Sequence, residues 1–281
     1  MKFTCLILIF VVFKMDAQNR YDFNHAFDWE EVEKWNPKLI EKFIQLTPKE
    51  FEYYRTKEAY YPNLDSLKKV LHVVDLNGDN LDDIVFAGQT FGEPKEVSLF
   101  VNTGKSFKKV FRDLQGLLKM EFTGGILSQL NIEDWGCCAD YRTFVKFYKV
   151  RLEKGELKFE LQNNFQYLQN TQLPTMYSDT VKQIRILNDL YNLRTTPLVD
   201  DSTITGYEGQ EVKGNVLGKI PKGAMALVLA QEVDSTGRVW YFVAILPAYV
   251  LKQTVFFDAD TAPQYHKCGW ISSRFVEEIS K

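Results

Sequence analysis

Cysteine is scarce: the 281-residue chain has four, and Cys5 lies ahead of an N-terminal apolar run. Beyond that run only Cys137, Cys138 and Cys268 remain. No second cysteine pair stands at ligand spacing, so no metal–thiolate site is implied. A bridge from Cys137 or Cys138 to Cys268, a strained bridge between the adjacent pair, and small buried thiols all stay open. Glycine (16) and proline (9) are too few for a collagen-like or low-complexity chain. The net charge is only −3, with acids and bases interspersed, so no broad basic field exists to gather nucleic acid. After the first seventeen residues no stretch approaches the about 18 apolar residues of a membrane-spanning helix. Histidine is limited to His25, His72 and His266, and neither Gly-x-Ser-x-Gly nor His-Glu-x-x-His occurs. His266 and Cys268 would share one face of a strand, but nothing in the sequence supplies the third group that orients a base. Glu133 and Asp134 before Trp135 could serve as paired acids, and a solvated turn explains them as well. The enzymatic reading is the weakest.

What is present is ordinary for a folded chain: 45% hydrophobic and 25% charged residues, enough for one or two domains. Lys2 followed by Leu6-Ile7-Leu8-Ile9-Phe10-Val11-Val12-Phe13 is too short to span a bilayer and has the form of a secretory signal peptide. Cleavage after Ala17 is expected, which makes residues 1–17 a signal peptide and the protein periplasmic or secreted.

From about Asp28 to Tyr61 the pattern is helical. Trp29, Val32 and Trp35 recur at helical spacing, Leu39, Ile40, Phe43 and Ile44 form a second stripe, and Thr47-Pro48-Lys49-Glu50 has the signals of a helix start. After Leu64 the period becomes two. Short β-branched runs at 70–74 and 84–87 lead to a hairpin from Val97 to Phe111 around Asn102-Thr103-Gly104, then to another from Phe144 to Leu161 around Lys154-Gly155. The polar stretch 171–175 marks the domain boundary, giving one domain over 18–176 and a second over 181–281, whose short strands and glycine turns suit a small barrel. The expected fold class is α+β: N-terminal helices plus an antiparallel β domain, followed by that barrel.

The segment Asp75-Leu76-Asn77-Gly78-Asp79-Asn80-Leu81-Asp82-Asp83 carries the sharpest chemistry. Asp75, Asn77 and Asp79 alternate, so a tight loop can aim three oxygens at one centre, with Asp83 closing it and the Leu81 carbonyl adding a backbone ligand. Such an all-oxygen set suits Ca²⁺ better than Mg²⁺. An EF-hand is excluded, because its twelfth position here is Phe86. A metal-free turn, in which Asp and Asn cap their own backbone, remains the alternative. With its flanks His72-Val73-Val74 and Asp83-Ile84-Val85-Phe86-Ala87-Gly88, the loop resembles the FG-GAP/VCBS-type calcium loop of integrin-like propeller repeats. Asn80 stands where glycine is usual, and Asn tolerates the left-handed backbone. The resemblance implies structural Ca²⁺ on Asp75, Asn77, Asp79 and Asp83. It covers one loop, from about Val70 to Phe111, and does not extend to a propeller.

In the last hundred residues, Tyr191-Asn192-Leu193-Arg194, the glycine turns around Val216 to Ile220, Arg238-Val239-Trp240-Tyr241 and Gly269-Trp270 occur in that order. Together they resemble a bacterial Src-homology-3 domain. An insertion at 246–267, with Tyr249, Phe256, Phe257, Asp258, Asp260, Tyr265 and His266, covers or extends its groove. The resemblance implies a non-enzymatic binding module for cell-wall (peptidoglycan) peptide, with candidate ligand positions Tyr191, Arg194, Tyr207, Trp240, Tyr241 and Trp270. For the tryptophans, Trp270 above all, a core position is the competing reading. A protein partner, as for a periplasmic inhibitor or immunity factor, is the second expectation, and a cell-wall hydrolase with an unrecognised site the third.

Overall fold

In the computed structural model, residues 21–23, 27–50, 61, 63–89, 95–135, 141–207, 210–256 and 265–279 are described. The signal-like run, His25, Cys137, Cys138 and residues 257–264 lie outside them. Of the described residues 51% are strand and 11% helix, so the α+β expectation is corrected: this is a largely β protein.

The helical signals yield short elements. Trp29–Glu31 is a single 3₁₀ turn capped by Asp28. Residues before a proline avoid the α region, and Asn36 (φ −142°, ψ 73°) instead caps helix α1 (Pro37–Leu46), accepting from Leu39 N at 3.2 Å. The expected stripe therefore breaks: Trp35 is 89% exposed, while the Trp29 ring lies flat on His72 at 3.5 Å. Helix α1 buries Ile40 and Phe43. Residues 48–50 are helical, and the rest of that expected helix lies outside the described residues. A second short helix, α2 (Leu64–Lys68), is capped by Asn63.

Four consecutive strands, β1 (Leu71–Val74), β2 (Asp83–Gln89), β3 (Lys95–Asn102) and β4 (Phe107–Asp113), form an antiparallel meander. Alternate residues serve opposite faces. Ile84, Phe86 and Phe100 pack under α1 with Phe43 and Leu67. Val85, Val97 and Leu99 pack against Leu127, Leu130, Ile132 and Val150 of the second sheet. Burial on both faces explains why β2 reads as an unbroken apolar run.

The second sheet has eleven strands. Strands β5 (Gly116–Thr123), β6 (Ile126–Trp135), β7 (Arg142–Glu153) and β8 (Glu156–Leu168) are linked by hairpins or neighbour one another in antiparallel order. After 169–181 come β9 (Lys182–Ile186), β10 (Tyr191–Arg194), the separate ribbon β11 (Ile204–Tyr207) and β12 (Gln210–Lys213), then β13 (Val216–Ile220), β14 (Met225–Val233), β15 (Val239–Ile245), β16 (His266–Ser272) and β17 (Val276–Glu278). Their order is β17-β9-β14-β15-β16-β8-β7-β6-β5, with β10 bridging β16 and β13.

The expected barrel does not close. The hydrogen-bonded path ends at β17 and β5, and β13 branches from it through β10; among the described residues β13 and β17 do not pair. Strand β16 pairs with β15 along its length, with β10 at Trp270, and in parallel with β8 at His266 and Lys267. The sheet thus runs on into the preceding strands instead of meeting itself.

This continuity buries the C-terminal strands on two faces. On one, Ile184, Leu193, Leu217, Val243, Ile245 and Ile271 form a core. On the other, Trp240, Phe242 and Trp270 pack with Phe147, Phe165 and Tyr167 of β7 and β8. The described part of the 246–267 insertion seals the first core: Leu251, Val255 and Phe256 are buried, and Thr254 Oγ1 donates to Leu217 O at 2.9 Å. Gly269 is required where β16 crosses β10, because a Cβ there would stand 2.8 Å from Arg194 O and 2.9 Å from Leu193 Cγ. Among the described residues, no helix is long and apolar enough to cross a membrane.

Candidate functional site

The acidic loop joins β1 to β2, with Val74 paired to Asp83. Gly78 (φ 74°) and Asn80 (φ 65°) both take the left-handed backbone that wraps it tightly. Asp75 accepts from Gly78 N (2.8 Å) and Asn80 N (3.1 Å). Asp79 accepts from Leu81 N (2.8 Å) and from Asn77 Nδ2 (2.9 Å), and Asn77 Oδ1 accepts from Asp79 N (3.3 Å). Asp83 is fully buried, accepting from Leu76 N (2.9 Å) and Asn102 N (2.7 Å). Burial raises its carboxyl to about 7, against those two bonds, and the charges of Asp79 and Asp75 push the same way. Asp82 faces elsewhere, paired to Lys34 at 2.9 Å.

The donor set has the chemistry a hard cation takes: three carboxylates, one amide oxygen and the Leu81 carbonyl. Every side-chain oxygen of the four named residues accepts one hydrogen bond here, and each keeps a second lone pair. As placed, no three acidic, histidine or cysteine groups converge on one centre among the described residues. The loop stands as a self-capped turn whose oxygens fit Ca²⁺ in kind.

The second candidate is a surface pocket of about 330 Å³ where β10, β15, β16 and the 3₁₀ turn Ser273–Phe275 meet. Its lining includes Tyr191, Arg194, Arg238, Trp240, Arg274 and Phe275. Leu190 (φ 51°), on the rim, holds a left-handed conformation that a branched side chain adopts only under constraint. It turns the chain into Tyr191, whose hydroxyl donates to Ser272 O at 2.9 Å and whose ring meets Phe275 edge-on at 5.8 Å. Burial, the largest influence, raises the Tyr191 phenol, opposed by that hydrogen bond and by the positive charges of Arg238 and Arg194.

Of the sequence candidates, the fold brings Tyr191, Arg194 and Trp240 to this pocket. Arg194 is 6% exposed and spends its guanidinium on structure, donating to Asp200 O (3.0 Å), Asn215 Oδ1 (2.7 Å) and Asp201 Oδ1 (2.9 Å). Trp240 is buried, with Nε1 donating to Asp234 Oδ2 at 2.9 Å. Tyr241 points to the opposite face, packing on the first core. Trp270 is a core residue, fully buried with Nε1 donating to Gln172 O at 2.6 Å. The Tyr207 side chain lies outside the described residues. Arg238, Arg274 and Phe275 were not among the candidates; Arg238 immediately precedes β15 and lies over the Trp240 ring at 5.7 Å, two residues from a residue that was.

His72 and His266 are both held below their ordinary value, mainly by burial. Cys268 is a fully buried free thiol donating to His266 O at 3.5 Å, and burial pushes it far above the usual thiol range, away from the nucleophilic thiolate. Glu133 and Asp134 lie in β6, not in a turn, and successive strand residues point to opposite faces. Comparison with known protein families, curated proteins and solved structures finds no match to this chain.

Proposed function

We propose that this is an exported, non-enzymatic binding protein whose C-terminal strands recognise cell-wall (peptidoglycan) peptide. The observation that supports the reading is the pocket at Tyr191 and Phe275, where two aromatic rings flank a concave surface edged by arginines and by the exposed backbone of residues 188–190. Aromatic walls with a few polar groups are the ordinary means of holding an extended peptide. The Src-homology-3 resemblance enters here through its residue order alone, since the sheet is open. The full chain is expected to sediment with purified peptidoglycan and to be released by soluble wall peptides. Absence from the pellet, with capture of a single protein instead, supports the inhibitor reading and contradicts this one.

In the same reading Ca²⁺ binds the β1–β2 loop through Asp75, Asn77, Asp79, Asp83 and the Leu81 carbonyl. Bound there, it neutralises three clustered carboxylates and stiffens the loop, with no catalytic part. At a calcium concentration a hundred times its dissociation constant the folded state gains about 2.7 kcal/mol, which raises the melting temperature by roughly 5–10 °C. Asp79→Ala should abolish the rise. Identical melting curves in calcium and in chelator count against the metal and leave the self-capped turn.

A further inference from the structure

We propose that Arg238 and Arg274 form a subsite for a carboxylate carried by the bound peptide, an inference that rests on the binding role assigned above to the Tyr191–Phe275 pocket. Three cations of the neighbouring strands are matched: Lys182 pairs with Glu278 (2.9 Å), Arg185 with Glu277 (3.2 Å) and Arg194 with Asp201 (2.9 Å). Among the described residues, the Arg238 and Arg274 side chains have neither an ion pair nor a hydrogen bond, although both line the pocket. The Nε atom of Arg238 is buried without an acceptor. A buried donor left unmade is costly, and an acceptor oxygen in the pocket removes that cost.

Arg238 is also held in place. Its guanidinium lies over the Trp240 ring at 5.7 Å. Trp240 is anchored by Asp234, whose carboxylate is in turn occupied by Thr236 N and Oγ1, Arg238 N and Trp240 Nε1. Asp234 is therefore committed to its own turn rather than to the guanidinium. The carboxylate facing the pocket is Asp189, whose Oδ1 accepts from Lys222 N at 3.3 Å. Counting only the groups that line the pocket, and with Arg194 balanced by Asp201, Arg238 and Arg274 against Asp189 leave a single positive charge. That excess matches one carboxylate better than a doubly charged phosphate. A planar guanidinium reads a carboxylate through two parallel hydrogen bonds, and the aromatic pair Tyr191 and Phe275 beside it accepts the adjoining side chain.

The test uses the full chain and two probes, a synthetic cell-wall stem peptide as the free acid and the same peptide amidated at every carboxyl. The free acid is expected to bind about tenfold more tightly, as loss of one charge-assisted pair implies. Raised salt should erase the difference. Arg238→Gln and Arg274→Gln should each narrow the gap between the two peptides by reducing free-acid binding toward the amidated level. Arg274 is exposed, so an unchanged melting curve for that variant separates lost recognition from lost folding. Equal binding of both peptides, unaltered by either substitution, overturns the carboxylate subsite and leaves the peptide-binding role standing. Binding of neither peptide overturns both. Competition by inorganic phosphate at the strength of the free acid overturns the choice of a carboxylate.

Discussion

Residues 181–281 produced alone are expected not to fold cooperatively. In the full chain Trp240, Phe242 and Trp270 are closed off by Phe147, Phe165 and Tyr167 from β7 and β8, and β16 takes hydrogen bonds from β8 at His266 and Lys267. Removing β7 and β8 exposes one whole face of the C-terminal strands. Re-exposing three large side chains costs about 1.5–3 kcal/mol each, which is comparable to the whole 5–15 kcal/mol of a typical domain. The fragment should give a broad thermal transition, poorly dispersed amide resonances and dye binding. A single sharp unfolding transition and a dispersed spectrum would show that the C-terminal strands are independent of the rest.

Trp270→Ala should be the most damaging single substitution in this region. The indole is fully buried, lies 5.3 Å from the Phe242 ring, and donates to Gln172 O at 2.6 Å. That bond ties β16 to the segment joining β8 to β9. Truncation leaves a cavity and an unmet carbonyl, at a cost of about 3–5 kcal/mol, or roughly 10 °C in melting temperature. Trp270→Phe keeps most of the packing and loses the hydrogen bond, so it should cost about 1–3 kcal/mol. Wild-type stability in Trp270→Ala would mean that the two halves are not joined through this residue.

Much of the local structure was legible because it rests on turn chemistry. Asn102-Thr103-Gly104 and Lys154-Gly155 set the turns of two hairpins, and Asn36 and Pro37 set the start of α1. Gly124-Gly125 (φ 60° and 80°), between two alternating runs, signals the β5–β6 hairpin in the same way, though the periodicity argument passed over it. The helical stripe of Trp29, Val32 and Trp35 misled because three residues at helical spacing do not make a helix when Asn36-Pro37 stops it and Trp29 has a flat partner in His72.

The open sheet was not legible at all. Whether a run of short strands closes on itself depends on one long-range pairing, here β16 with β8 across about a hundred residues of chain. Nothing local to Phe165 or His266 encodes that choice. The near-continuous apolar run Val239 to Ile245 did signal burial on two faces, and it favours a layered sheet over a free-standing barrel. For the site, aromatic residues stood out in the sequence and the arginines did not, because a single arginine between uncharged neighbours is ordinarily a solvated side chain. What marks Arg238 and Arg274 is that, among the described residues, neither side chain has an ion pair or a hydrogen bond, which only the fold displays.

Amide hydrogen exchange on the full chain, with and without soluble peptidoglycan peptide, tests the binding account most directly. Added protection should fall on 188–192, on Arg238 and the start of β15, and on 272–275, and leave β1–β4 unchanged. Protection spread elsewhere, or none at saturating peptide, would contradict it.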